Sequence, residues 1–188
     1  ANFELMWDWK LTKGGNSGML YHVLEGPRFK VPYVTGPEYQ LIDVEGWEEI
    51  NNAKLEEWQK IGVDYAMHLP DQSKMKINPV GQWNSFYIKM TDERVTVYLN
   101  GELVVNNVIM ENYWDRSLPI ILNEQIELQA HGSKVAYRNL YIKELPQAEP
   151  YQLSAQEKKE GFKLLFDGTS LHEWQGDKTN YATENGTI

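Results

Sequence analysis

The sequence predicts an all-β fold, an antiparallel sandwich of two sheets. Three observations carry the prediction. Apolar residues recur at every second position through most of the chain, the period of a strand with one buried face. Gly, Asn, Asp and Pro punctuate these runs at short intervals, as turns require. Helical spacing is confined to one stretch near 52–61, where Leu55, Trp58 and Ile61 fall three apart and Gly62 offers a stop. Many short strands with almost no helix bury their apolar faces by packing one sheet on another.

The elements follow in order. Phe3, Leu5, Trp7 and Trp9 share one face of a first strand, with Glu4, Met6, Asp8 and Lys10 on the other. Gly14-Gly15-Asn16-Ser17-Gly18 bends the chain into a second strand over 19–24. Further strands are expected over 39–44, 85–90, 94–99, 103–105, 124–129 and 135–142. Asn100-Gly101 between the third and fourth of these reads as a two-residue type I′ hairpin turn, because both residues tolerate positive φ. Residues 146–160 carry two prolines and a charge run and read as a linker. The tail, 161–188, then restarts an apolar pattern with GFKLLFDGTSLHEWQG.

Composition narrows the function. A net charge of −9 and scattered Lys and Arg argue against nucleic acid as a partner. The absence of cysteine removes disulfides, thiol catalysis and Cys-ligated metals. No apolar run approaches the ~18 residues of a membrane span, and no leader-type segment is present. Seven Trp and 11 Tyr fit either a well-filled sandwich core or a surface that stacks on sugar rings.

The ordered set FELMWDWKLTKGGNSGMLYHV, EYQLID, GQWNSFYIKMTDERVTVYLNGELVV and IELQAHGSKVAYRNLYIKEL resembles the 3-keto-disaccharide hydrolase domain family across about residues 2–145. The tail resembles the opening motif of the same family, which normally precedes the FEL strand. The resemblance implies a jelly-roll sandwich of the concanavalin/glucanase type. It also implies an exported bacterial protein, periplasmic or secreted, acting on an oligosaccharide or glycoside. Residues 1–145 then form the body of one such domain, 146–160 a linker, and 161–188 either the opening of a second domain or strands completing the first. On the latter reading, residues 162–166 pair as a strand in their own chain or in a neighbour's, giving strand exchange or a homo-oligomer.

The implied reaction acts on sugars carrying a ketone at C3. The ketone acidifies the C2 hydrogen, so a base can remove it and the enolate expels the group at C1; water then adds back. Such a site needs a base, an acid and a partner for the ketone oxygen, where ordinary glycosidases flank C1 with two carboxylates. Glu38 and Gln40 share one face of their strand. That face is solvated or lines a cleft, and the family places its acidic residue in this strand. Asp43 falls on the opposite parity. Gln129 and His131 also share a face, and His131 can act as acid, base or metal ligand. The family often has an acid directly before this histidine, where this chain has Ala130.

Arg138 alternates with Ala136, Leu140 and Ile142; a charge on such a face needs a partner, either Glu38 or the enolate oxygen. The catalytic candidates are therefore Glu38, His131 and Arg138. Asn16, Ser17, Tyr21, Gln40, Asp43, Trp83 and Gln129 are the candidate substrate contacts. No cofactor is evident, and a divalent metal is left open. His22, His68 and His172 form no ligand spacing. A noncatalytic carbohydrate-binding or scaffold module is the second reading, since sandwiches of this type also serve as lectins.

Overall fold

A computed structural model describes residues 2–112, 125–171, 173–176 and 180–188. Among these residues, eight strands form two antiparallel sheets. They are β1 (Phe3–Leu11), β2 (Asn16–Val23), β3 (Glu38–Ile42), β4 (Asn84–Thr91), β5 (Arg94–Leu99), β6 (Glu102–Ile109), β7 (Gln125–Leu128) and β8 (Val135–Glu144). The larger sheet has the order β6-β5-β4-β1-β8 and the smaller one β3-β2-β7. The expected two-sheet sandwich is what the chain forms. Glu124, expected to open β7, lies outside the described residues, as does His172.

The alternation in β1 works as read. Phe3, Leu5, Trp7, Trp9 and Leu11 are buried between the sheets. Phe86 of β4 gathers Trp7, Trp9 and Tyr39 around it, with ring centroids 5.3, 6.0 and 5.3 Å away, so aromatic contacts join both sheets. Asn100 and Gly101 take φ of 48° and 84°, the positive pair that a tight β5–β6 turn needs.

The helix is not where its spacing predicted. Helix α1 runs Val44–Asn51 and ends at Asn52, which adopts the left-handed conformation at φ 49°. Within the stretch of helical spacing a 3-10 turn, Glu57–Gln59, forms instead. Leu55 and Ile61 do pack on the core, but from separate turns. Three apolar residues three apart thus reflect a loop lying on the core rather than one helical face.

In the segment read as a linker, α2 (Ala155–Lys159) is capped by Ser154, which accepts the Glu157 N–H. Residues 162–166 join neither sheet, and Leu165 is 76% exposed. The expectation that they pair within their own chain is corrected by the topology: β4 and β8 already occupy both edges of β1. The tail nonetheless touches the body. Leu171 is buried, and the backbone N–H groups of Leu171 and Thr183 each lie 3.4 Å from the Glu93 carboxylate at the β4–β5 turn.

Candidate active site

The smaller sheet supplies the floor of a cleft. In β3, Tyr39 and Leu41 turn into the core, so Glu38 and Gln40 take the opposite face. Across the ladder, Glu38 stands opposite Leu20 and Gln40 opposite Gly18. On the other side of β2, the Gln129 N–H donates to the Gly18 carbonyl at 2.9 Å. Glu38, Gln40, Gln129 and Asn16 thereby come together in a cleft of about 310 Å³, with His131 at its exposed rim.

Loops supply the walls. Tyr33 comes from the turn before β3, and Glu111 and Asn112 from the chain leaving β6. Tyr65 and Met67 come from a segment running along the free edge of β3. It is held there by the bonds Gly62 N–H to Gln40 O, Gln40 N–H to Val63 O and Tyr65 N–H to Glu38 O, at 3.0, 3.1 and 2.8 Å. Asp64 of this segment is fully buried, 3.1 Å from His68 Nδ1 and 3.4 Å from the Tyr21 hydroxyl that donates to it.

Glu38 is only 7% exposed. Burial pushes its carboxyl up to about 7, and the side chain of Gln129 pulls it partly back. Its Oε1 is buried without a hydrogen-bond partner, as are Asn16 Oδ1, Gln40 Oε1 and Gln129 Oε1. The Gln40 amide is oriented by its Nε2, which donates to the Gln59 carbonyl at 3.1 Å. Buried polar atoms are normally satisfied. Four unpartnered oxygens on residues of one cleft form a site that suits a ligand rich in hydroxyl donors.

Five candidates from the sequence do not reach this cleft. Arg138 lies on the outer face of the larger sheet, where its Nε donates to Asp8 at 3.0 Å and its guanidinium sits 4.0 Å over the Trp83 ring. A register shift in β8 opposite Trp7, with Asn139 at φ 52°, reverses the alternation after Arg138. Trp83 belongs to that outer cluster too, with Lys10 4.7 Å above it. Tyr21 is buried in the core, held by Asp64. Asp43 precedes α1 and accepts the Gly14 N–H at 2.8 Å. Ser17 is buried beneath the floor, bonded to Gln129 and Tyr137. Tyr33, Tyr65, Met67, Glu111 and Asn112 were missed because loops carry no period. The one signal available was Gly18, a glycine inside a strand pattern.

Among the described residues, no group of three or more His, Asp or Glu is arranged to hold a metal ion. None of their helices is long and apolar enough to cross a membrane. The model of the 3-keto-alpha-glucoside-1,2-lyase-like domain matches residues 1–143. The chain belongs to this family. One relative is the 3-keto-disaccharide hydrolase of Bacteroides thetaiotaomicron, 29% identical over 174 residues. The match takes in 77% of this chain but 59% of that protein, so the chain spans under two thirds of its relative's length.

Two crystal structures from Parabacteroides distasonis, each of a protein assigned as a glycosyl hydrolase, share the fold of this lyase-like domain. The first is 40% identical with a TM-score of 0.66, covering 77% of this chain and 70% of its own. The second is 27% identical with a TM-score of 0.59, covering 77% and 78%. The chain thus shares its fold with proteins assigned as glycosyl hydrolases.

Proposed function

We propose that the cleft cleaves the glycosidic bond of 3-keto-glycosides by C2 deprotonation and β-elimination followed by hydration. The observation that carries this reading is Glu38, a buried carboxyl on the cleft floor whose pKa of about 7 suits a general base at neutral pH. Its carboxylate takes the C2 proton while the C2–H electron pair moves to form the enolate, placing charge on the C3 oxygen. Return of that charge re-forms the ketone and makes a C1–C2 double bond as the C1–O bond breaks. The leaving oxygen takes a proton, with His131 at the rim as the donor. Water then adds across C1–C2 to release the free 3-keto sugar. Asn16, Gln40 and Gln129 hold sugar hydroxyls on the floor. The Bacteroides relative's name, with its 3-keto-disaccharide substrate, supports the same chemistry. Periplasmic or secreted placement in a bacterium belongs to the same proposal.

The test is aglycone release from a matched pair of substrates, one oxidised at C3 and one not. Only the oxidised substrate should react, because without the ketone the C2 hydrogen is far too weakly acidic for a side-chain base. Glu38→Gln and His131→Ala should each slow turnover by about 10²-fold or more. No release from either substrate, together with binding of both, would establish the carbohydrate-binding module instead.

A further inference from the structure

The Glu38 side chain lies along the cleft floor, across β2. A Cβ built on Gly18 would stand 2.7 Å from both Cγ and Cδ of Glu38 and closer still to Oε1. All three distances are below any real van der Waals contact, and the three nearest atoms all belong to Glu38. Glu38 pairs directly with Leu20, so Gly18 is its diagonal neighbour, within reach of a long side chain on the same face. Gly18 is flanked across the ladders by Gln40 and Gln129. The missing side chain is therefore a socket in the sheet that the carboxyl fills, bordered by two amides.

We propose that Gly18 is a positioning residue for the reacting carboxyl, seating Glu38 against the β2 backbone between Gln40 and Gln129. The inference rests on the reading of Glu38 as the base. Any side chain at position 18 lifts the carboxyl out of the socket toward water in the cleft. Gly18 itself is not in a left-handed conformation, since no positive φ is recorded for it, so its backbone does not require glycine. The requirement comes from the neighbour. Other titratable groups facing this space are Glu111, His131, Tyr33 and Tyr65 around the cleft. Glu127 lies across Leu20 on β7, and Tyr137 lies beneath on β8.

Two measurements test this. The first follows the Glu38 carboxyl by carbon NMR through a pH titration in the parent chain and in Gly18→Ala. The midpoint should fall by at least one pH unit in Gly18→Ala, as the displaced carboxyl regains water. An unchanged midpoint in folded Gly18→Ala overturns the proposal. The second is a double-mutant cycle with Glu38→Ala, which shortens the side chain past the Cγ, Cδ and Oε1 that an alanine at 18 would meet. The shortening should be at least fivefold less damaging to turnover in the Gly18→Ala background than in the parent, whereas additive effects overturn the proposal.

Should Gly18→Ala fail to fold, Gly18→Ala/Glu38→Ala decides. A folded double variant locates the clash at Glu38, and an unfolded one assigns the glycine to another role, against the proposal. The titration needs no substrate. A chain inactive on 3-keto-glycosides would therefore defeat the functional reading while leaving this one to its own result.

Discussion

Ser17 Oγ and the Tyr137 hydroxyl stand 2.7 Å apart, one on β2 and the other on β8, and so join the two sheets directly beneath the cleft. Ser17 also donates to the Gln129 carbonyl at 2.6 Å. A serine hydroxyl has one proton to give, so Tyr137 must be the donor in the pair. Ser17→Ala leaves a carbonyl and a phenol unpaired in the interior. The expected cost is about 1–3 kcal/mol, read as a lower midpoint in urea with unchanged slope. Tyr137→Phe removes only the donor and should cost less. A Ser17→Ala midpoint equal to the parent's would show that water already satisfies these groups.

Glu38 makes stability depend on pH with a definite sign. Unfolded, it releases its proton near 4.5; folded, it holds it to about 7. Between those values the folded state binds more protons, so stability falls as pH rises, and the loss is complete above about 7. The full effect is on the order of 3 kcal/mol. His22 acts in the opposite sense, since burial lowers its pKa to about 3 and stability is lost as pH falls below 6.5. The difference between the parent and Glu38→Gln isolates the carboxyl. The variant should gain on the parent from pH 4.5 to 7 and hold a constant advantage beyond. A gap that does not change with pH would contradict the burial argument.

The strands were legible because one buried face imposes period two, and β1 and the Asn100-Gly101 turn needed nothing else. The helix was not legible. Asn52 takes a left-handed cap that ends α1 before the stretch with helical spacing begins. Gly46, in the middle of the true helix, gives that segment a poor helical signature, yet it packs against Gly14 and Asp43. Half the site was visible as the parity of Glu38 with Gln40 and of Gln129 with His131. Arg138 was misplaced because parity counting assumes an unbroken ladder. Asn139, a residue type that tolerates positive φ, was the only hint of the shift.

Arg138→Ala follows from that correction. The side chain is half exposed, paired with Asp8 and lying on Trp83, on the opposite side of the molecule's core from Glu38. Turnover of a 3-keto-glycoside should stay within about twofold of the parent. Stability should fall by no more than about 1–2 kcal/mol, the sum of an exposed ion pair and a cation–π contact. A loss of turnover comparable to that of Glu38→Gln would return Arg138 to the reaction and require the register of β8 to be wrong.

The tail is expected to be a stabilising part of the fold. Glu93 is 7% exposed, and the N–H groups of Leu171 and Thr183 that approach its carboxylate both come from residues beyond 160. Arg94, next to it, reaches Glu184 of the same tail at 3.8 Å. Leu171→Ala removes a buried side chain and should cost about 2–5 kcal/mol if the tail stays docked. Should the tail detach instead, the loss is capped at its whole docking energy, the same loss that deleting residues 161–188 produces. Measuring both by thermal unfolding separates the cases, and a deletion variant as stable as the parent would remove the tail from the fold. Exposed Phe162 and Leu165 are the surface a neighbouring copy would cover. Sedimentation at rising concentration should therefore show self-association that Leu165→Glu reduces. A parent that stays monomeric throughout would end the idea of strand exchange between chains.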